Sequence, residues 1–491
     1  MIPAGRAAAG RFALAALAGA AAVLGFSPAE VFPATLAALA VLVHLWLRAA
    51  SPRAAFAIGF AFGLAYFLVG VSWVYVSLSR FGGMPAPLAG FATAAFCALL
   101  ALFPALAGWA QARLQDPASR LASIPALWTL GEWLRGTILT GFPWIPVGNA
   151  AIDSPLAGFA PLGGAYLLSF LAMLAATLLW RIALGRARWI AAAGFAAIGV
   201  AGALLQSVEW TTPAGKPVTA SLLQGNVPQS LKFDPGRYER TLATYARLAE
   251  ESRARLVVFP ETALPRFLDL VDPAYLARLK AVAERNGGDL LLGAPTRTGP
   301  ETYLNSVVSL GVSPHAAYDK VHLVPFGEFV PPGFGWILSV LRIPLSDFSR
   351  GAPDQPPLAV AGERVAINIC YEDAFGGELA ARSREATLLV NVSNVAWFGD
   401  SLAPAQHLQM ARLRALESGR DYLTATNTGV TAAIAADGRV RALLPQFTEG
   451  RLDVEAQGRT GLTPYLRAGD WPAIAGCLLF VLGVALRARS R

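Results

Sequence analysis

The chain has 491 residues, of which 55% are hydrophobic and only 15% charged, with a mean hydropathy of +0.48; it is too apolar for an ordinary soluble protein and too long for one domain. Its net charge of +8 does not mark a nucleic-acid surface, because twelve arginines flank apolar runs and the remainder of the chain is slightly acidic. Three cysteines, two of them (Cys97 and Cys477) inside apolar runs, exclude a disulfide framework.

From the N-terminus, runs long enough to cross about 30 Å of hydrocarbon lie at residues 12–26, 31–47, 54–78, 88–110, 121–139, 157–184 and 189–206, with an eighth at 471–486. The first is followed at once by the second, with arginines beyond it, which reads as an uncleaved helical hairpin rather than a signal peptide. Arginines occupy every second connection: Arg6 and Arg11, Arg48 and Arg53, Arg113 and Arg120, Arg181, Arg186 and Arg188, then Arg487, Arg489 and Arg491. The alternate connections hold almost none, so the positive-inside rule predicts eight spans with both termini in the cytoplasm. Glu132 and Arg135, three apart on the fifth run, read as an i,i+3 pair near the outer interface.

Between the seventh and eighth runs the character changes. Residues 217–455 are richer in charge, punctuated by Pro and Gly, and alternate β-type with helical segments. An odd number of preceding spans places this soluble α/β domain outside the cytoplasm. The expected organisation is residues 1–210 as seven spans, 217–455 as the soluble domain, and 471–491 as the last span and tail. Strands are predicted at 220–223, 256–259, 290–293, 307–310, 365–369, 388–392, 422–425 and 432–435, and helices near 238–253, 273–286, 378–384 and 404–419. No internal repeat is evident.

Three strand ends carry suitable chemistry. Glu261 follows the apolar run ending Phe259-Pro260, where burial can tune a carboxylate as a general base. Lys320 lies in apolar surroundings, with Glu328 eight residues on. Cys370 ends the run Ile367-Asn368-Ile369 and precedes a helical segment, as the one thiol outside the spans. Singly, these are a helix-terminal carboxylate, a solvated lysine and a small buried cysteine. Together they supply the base, cation and nucleophile of an acyl-transfer site. His322 and His407 are too far apart, without a companion at ligand spacing, to suggest zinc.

The order Glu, Lys, Cys, with Pro260-Glu261, then Lys320-Val321-His322-Leu323-Val324-Pro325-Phe326-Gly327-Glu328, then Cys370-Tyr371-Glu372, resembles the carbon–nitrogen hydrolase (nitrilase) superfamily. Placed between the seventh and eighth of eight spans, with Gly141-Phe142-Pro143-Trp144, Gln224-Gly225-Asn226-Val227-Pro228-Gln229, Asn391-Val392-Ser393-Asn394 and Trp397-Phe398-Gly399 also present, it resembles the apolipoprotein N-acyltransferase family. The resemblance implies an αββα sandwich outside the inner membrane, in the bacterial periplasm. It implies that a phospholipid, typically phosphatidylethanolamine, acylates Cys370, and that the α-amine of a diacylglyceryl-cysteine on an apolipoprotein then takes the acyl chain. Glu261 would be the base and Lys320 the oxyanion cation, with Glu328, Tyr371 and Glu372 in support and no cofactor or metal needed. Phe233 stands where the family often has tryptophan, and is a candidate substrate contact.

Residues 334–345 are too apolar for an exposed loop and too short to span. They read either as a buried core helix or as an arm on the outer leaflet, with Trp336 and Leu338 admitting acyl chains. The alternatives in function are a membrane-tethered amidase that resolves the thioester with water, and a transporter with an external binding domain. The spans lack the broken, repeated helices of the latter.

Overall fold

The computed structural model describes residues 4–185, 187–299, 302–330 and 347–489; the segment 334–345, with Trp336 and Leu338, lies outside the described residues. The chain divides into two compact units: residues 1–75, 86–208 and 468–491 form one, and residues 76–85 and 209–467 the other.

Among the described residues, the first unit holds eight long helices, each on a predicted apolar run: Ala4–Ala22, Phe32–Leu47, Pro52–Gly70, Ala86–Ala112, Pro117–Arg135, Ala160–Leu184, Arg188–Leu205 and Trp471–Arg489. Four segments are long and apolar enough to cross a membrane (Pro52–Gly70, Ala86–Ala112, Pro155–Leu184 and Arg188–Leu205), and three shorter helices are also apolar. The third run is not one continuous helix: it stops at Gly70, and Trp73–Val76 and Ser77–Phe81 follow as separate turns. Without a hydrophobic drive between helices in lipid, close packing relies on small residues. Gly59 and Gly63 show this, since a Cβ on either would come within 2.6 Å of Pro104.

Glu132 and Arg135 are buried within this unit. Glu132 accepts from Trp128 Nε1 at 2.9 Å and from the Val147 N–H at 2.8 Å, and Arg135 donates to the carbonyls of Phe142 and Trp144. Both therefore clamp the loop carrying Gly141-Phe142-Pro143-Trp144, giving its buried backbone groups the partners they need.

The second unit is built on two six-stranded sheets. Twelve strands are labelled in chain order: β1 Val218–Gln224, β2 Leu256–Val258, β3 Asp289–Arg297, β4 Tyr303–Gly311, β5 Ala317–Asp319, β6 Leu358–Val360, β7 Glu363–Ile369, β8 Leu388–Ser393, β9 Tyr422–Thr426, β10 Thr431–Ile434, β11 Val440–Leu444 and β12 Gly450–Ala456. The first sheet runs β12-β1-β2-β3-β4-β5 and the second β6-β7-β8-β9-β10-β11. In each, three central strands are parallel and the flanking ones antiparallel. The two sheets thus share one arrangement, although the sequence shows no repeat.

Period-two alternation explains the layering. Ala220, Leu222, Leu256 and Val258 of one sheet join Ile367, Ile369, Leu388 and Val390 of the other in a shared core. Their neighbours Leu223, Val257 and Phe259 face outward onto Tyr245, Leu248 and Leu279 of helices Pro235–Glu250 and Pro273–Arg285. Ala366 and Leu389 pack on Leu379, Ala411 and Ala415 of helices Gly376–Arg382 and Ala403–Ser418. The result is helix, sheet, sheet, helix. Residues 76–85 join this unit through Ser77 Oγ, which donates to the Trp397 carbonyl at 2.9 Å, and through Phe81, edge-on to Trp397 at 6.2 Å.

Candidate active site

Sheets with parallel centres gather functional groups at their C-terminal strand ends. Glu261 follows β2, Cys370 directly follows β7, and Asn394 directly follows β8. Lys320 comes immediately after β5 at the edge of the first sheet, with its N–H held by the Asn305 carbonyl at 2.8 Å. All four are buried, with Lys320 only 1% and Cys370 8% exposed.

Lys320 is the hub. Its Nζ donates to Glu328 Oε1 at 2.8 Å and lies 3.4 Å from Glu261 Oε1. Asn305 Nδ2, on β4, donates to both carboxylates, at 2.7 Å to Glu261 and 2.9 Å to Glu328. Glu328 also caps the Val324 N–H at 2.8 Å. Burial alone would raise the pKa of Glu261, but Lys320, then Lys232, the Asn305 amide and the Asn394 N–H outweigh it and hold the carboxyl below its ordinary value. Lys320 is opposed by burial too, yet Glu328 and Glu261 push its pKa well up, so it stays a cation.

Cys370 has the opposite environment. Burial first, and then the Glu261 carboxylate, push its thiol far up, with Lys320 and the Asn394 N–H pulling partly back. The site therefore pairs a neutral thiol with an ionised carboxylate. The Asn394 N–H also donates to Glu261 Oε2 at 2.8 Å, so one amide serves both the carboxylate and the thiol.

The Cys370 turn is strained and strongly held. Cys370 has φ +53°, and Asn226, Thr262 and Phe326 also have positive φ, at 49°, 47° and 62°. Such backbone costs about 1–3 kcal/mol per residue and persists only where surroundings impose it. The Cys370 carbonyl lies 3.2 Å from His407 Nε2 and accepts from Asn391 Nδ2 at 3.4 Å. Glu372, fully buried, accepts from the Ile369 N–H at 2.7 Å beneath the turn. It also accepts from the N–H groups of Val321 and His322, beside Lys320, at 3.0 and 3.2 Å, and from the Tyr318 hydroxyl at 2.8 Å. Glu372 thereby ties the cysteine turn to the lysine segment. Tyr371 is buried, edge-on to Phe375 at 5.1 Å and to His322 at 5.9 Å.

Phe233 is half-buried in the turn before helix Pro235–Glu250, next to Lys232, whose amine reaches the Glu261 carbonyl. Sequence reasoning missed Asn305, whose signal was a polar side chain inside an otherwise apolar strand. It also missed Lys232, buried beside Glu261, and gave no role to Asn394. The loop after β1 is sewn to the site by Asn427, which accepts from the Val227 N–H at 2.9 Å and donates to Asn394 Oδ1 at 3.0 Å, and by Gln229, which accepts from Asn394 Nδ2 at 2.8 Å.

This architecture has relatives. Residues 18–178 match the family described as the apolipoprotein N-acyltransferase N-terminal domain, and residues 219–465 match the carbon-nitrogen hydrolase family. The chain is 49% identical over 481 residues to an apolipoprotein N-acyltransferase of Nitrosomonas europaea, covering 96% of each chain. Proteins of the same name from Ralstonia nicotianae and Chromobacterium violaceum are 46% and 47% identical, over 98% and 97% of this chain and 94% of each relative. With both halves matched and near-complete relatives at such identity, the chain belongs to the apolipoprotein N-acyltransferase family.

Proposed function

We propose that this protein moves an acyl chain from a phospholipid to the N-terminal amine of an apolipoprotein through a thioester on Cys370. The observation that carries the reading is the buried Glu261–Lys320–Glu328 cluster beside a strained, neutral thiol. Glu261 takes the Cys370 proton as sulfur attacks the donor ester carbonyl, and Lys320 holds the oxyanion of the tetrahedral adduct. Collapse expels the lysophospholipid alkoxide, to which Glu261 returns the proton. The α-amine of the diacylglyceryl-cysteine then attacks the thioester and gives its proton to Glu261. An amide forms, and the thiolate leaves and recovers that proton. Glu328 fixes the Lys320 ammonium, and Tyr371 and Glu372 shape the turn.

Phosphatidylethanolamine is the proposed donor, with Phe233, Trp336 and Leu338 meeting the lipids. The eight helices of the first unit are proposed as eight spans of the bacterial inner membrane, with seven in residues 1–210 and the eighth in 471–491. The arginine alternation supports both termini in the cytoplasm and the catalytic domain, residues 217–455, in the periplasm. Both substrates live in a bilayer, which accounts for a catalytic fold carried on apolar helices.

The test is mass spectrometry of the intact protein after exposure to labelled phosphatidylethanolamine, with Cys370→Ala alongside. One acyl group should appear on Cys370 and pass to an added diacylated lipopeptide. Release only as free fatty acid would make the enzyme a hydrolase, and absence of any Cys370 adduct would remove the mechanism.

A further inference from the structure

Lys232 is used by no step above, yet it is buried at the centre of the site. It closes the turn Gln229–Leu231, just before the Asp234 cap of helix Pro235–Glu250, and is 4% exposed. Its Nζ donates to the backbone carbonyl of Glu261 at 3.1 Å, and among the described residues no carboxylate oxygen lies within 4 Å of it. An ammonium has three donors and is costly to bury without an anion. A neutral side chain of similar length would fill the position at lower cost, so packing does not explain the amine. The loop that carries it is otherwise joined to the site by neutral groups, Asn427 and Gln229.

We propose that Lys232 is a second cation of the active site, a positioning residue whose charge steadies the negative charge as it passes from the Glu261 carboxylate to the Cys370 sulfur. The charged or titratable groups acting on it are Glu261 and Cys370, and Glu261 is in turn paired with Lys320, which also holds Glu328. Lys320 pairs directly with both carboxylates, whereas Lys232, among the described residues, donates only to a carbonyl and leaves the Glu261 carboxylate free to accept a proton. Burial lowers the Lys232 pKa to about 8, against the opposing pull of Glu261 and Cys370. Its support is therefore present at neutral pH and fades above it. The roles of Glu261 and Cys370 are those proposed above, so the test reads the thiol itself rather than acyl transfer.

The experiment measures the rate at which iodoacetamide alkylates Cys370, followed on its own peptide by mass spectrometry from pH 6 to 10. The full-length parent, Lys232→Met and Lys232→Arg are compared. Alkylation proceeds through the thiolate, so Lys232→Met should react about tenfold or more slowly at pH 7, one factor of ten corresponding to one pKa step. The gap should close above pH 9, where the parent lysine is also neutral. Lys232→Arg should keep the parental rate at pH 7 and lose the fall-off of the parent's profile near pH 8. The melting temperature of the Met variant should not drop, since a costly buried charge is removed. Equal rates for parent and Met variant at pH 7 would overturn the proposal. So would a slow rate in both variants that persists at every pH, which marks packing. If the Met variant does not fold, the parent profile decides, because a rise without any break near pH 8 also overturns it. Loss of acyl transfer in the parent itself would instead strike at the proposed function.

Discussion

Replacing Glu372 by alanine should unfasten the cysteine turn from the lysine segment. The carboxylate accepts from three backbone N–H groups, those of Ile369, Val321 and His322, at 2.7, 3.0 and 3.2 Å, and from the Tyr318 hydroxyl at 2.8 and 2.9 Å. Arg382 stands 3.4 Å away and adds charge. Alanine leaves four donors without this acceptor in a fully buried place. Each orphaned donor costs about 1–3 kcal/mol, so even if water rescues half of them the loss is on the order of 4 kcal/mol, a large share of the roughly 5–15 kcal/mol that keeps a domain folded. For a unit of this size that corresponds to a fall in melting temperature of about 10 °C. Glutamine keeps one acceptor oxygen but turns an NH2 toward the same donors, and should lie between. The assay is thermal unfolding of the purified protein in detergent, paired with the yield of acyl-enzyme per folded molecule. An alanine variant that melts within about 2 °C of the parent and acylates normally would refute the clasp.

Glu261→Gln, Lys320→Met and Cys370→Ser should each abolish the acyl-enzyme adduct seen by mass spectrometry, because base, oxyanion cation and thiol have separate tasks; near-normal transfer by any one would remove that residue from its role. Glu261 is held below its ordinary pKa of 4.5, so its carboxylate form and the stability it lends persist as pH falls from neutral and are lost only below the usual carboxylate range. The acid limb of Cys370 acylation should accordingly lie below pH 4.5, and a midpoint near 6 would contradict the electrostatics of the site. In a background without the three native cysteines, a cysteine at exposed Asp354 should react with an impermeant thiol reagent added to spheroplasts, and one at exposed Ala118 should not. The reverse pattern would invert the proposed topology.

Much of this molecule is written locally. The eight strands expected from apolar runs all coincide with observed ones, because they form the crowded interior of the sheets, where both faces are buried. The strands of the two six-stranded sheets that escaped notice are the edges. β11 alternates half-buried and exposed residues, β12 is mostly half-buried, and β5 and β6 have three residues each. β12 also pairs with β1 from the far end of the domain, a partnership no local window contains. The shared arrangement of the two sheets is likewise a property of pairing, not of residue identity. In the site, Glu261, Lys320 and Cys370 stand at strand ends and were legible for that reason. Asn394 is 133 residues from the carboxylate it serves, and Lys232 reaches Glu261 across 29, so their roles exist only after folding. Glu132 and Arg135 also hold a loop that their i,i+3 spacing does not reveal.

The buried cluster holds two ammonium groups, on Lys232 and Lys320, and two carboxylates, on Glu261 and Glu328. While Cys370 keeps its hydrogen, these four sum to zero. On the assigned roles, a proton that leaves sulfur stops on Glu261, and the oxyanion then stands in for the charge that Glu261 has given up. Once the alkoxide departs with that proton the sum is zero again, and the second half of the exchange repeats the cycle. The chemistry is electroneutral at every stage. A water-poor interior can host it without drawing in counterions, and dissolved salt has little leverage on bond making. Sensitivity to ionic strength belongs to the meeting of lipid and lipopeptide with the protein, not to the thiol's own reaction.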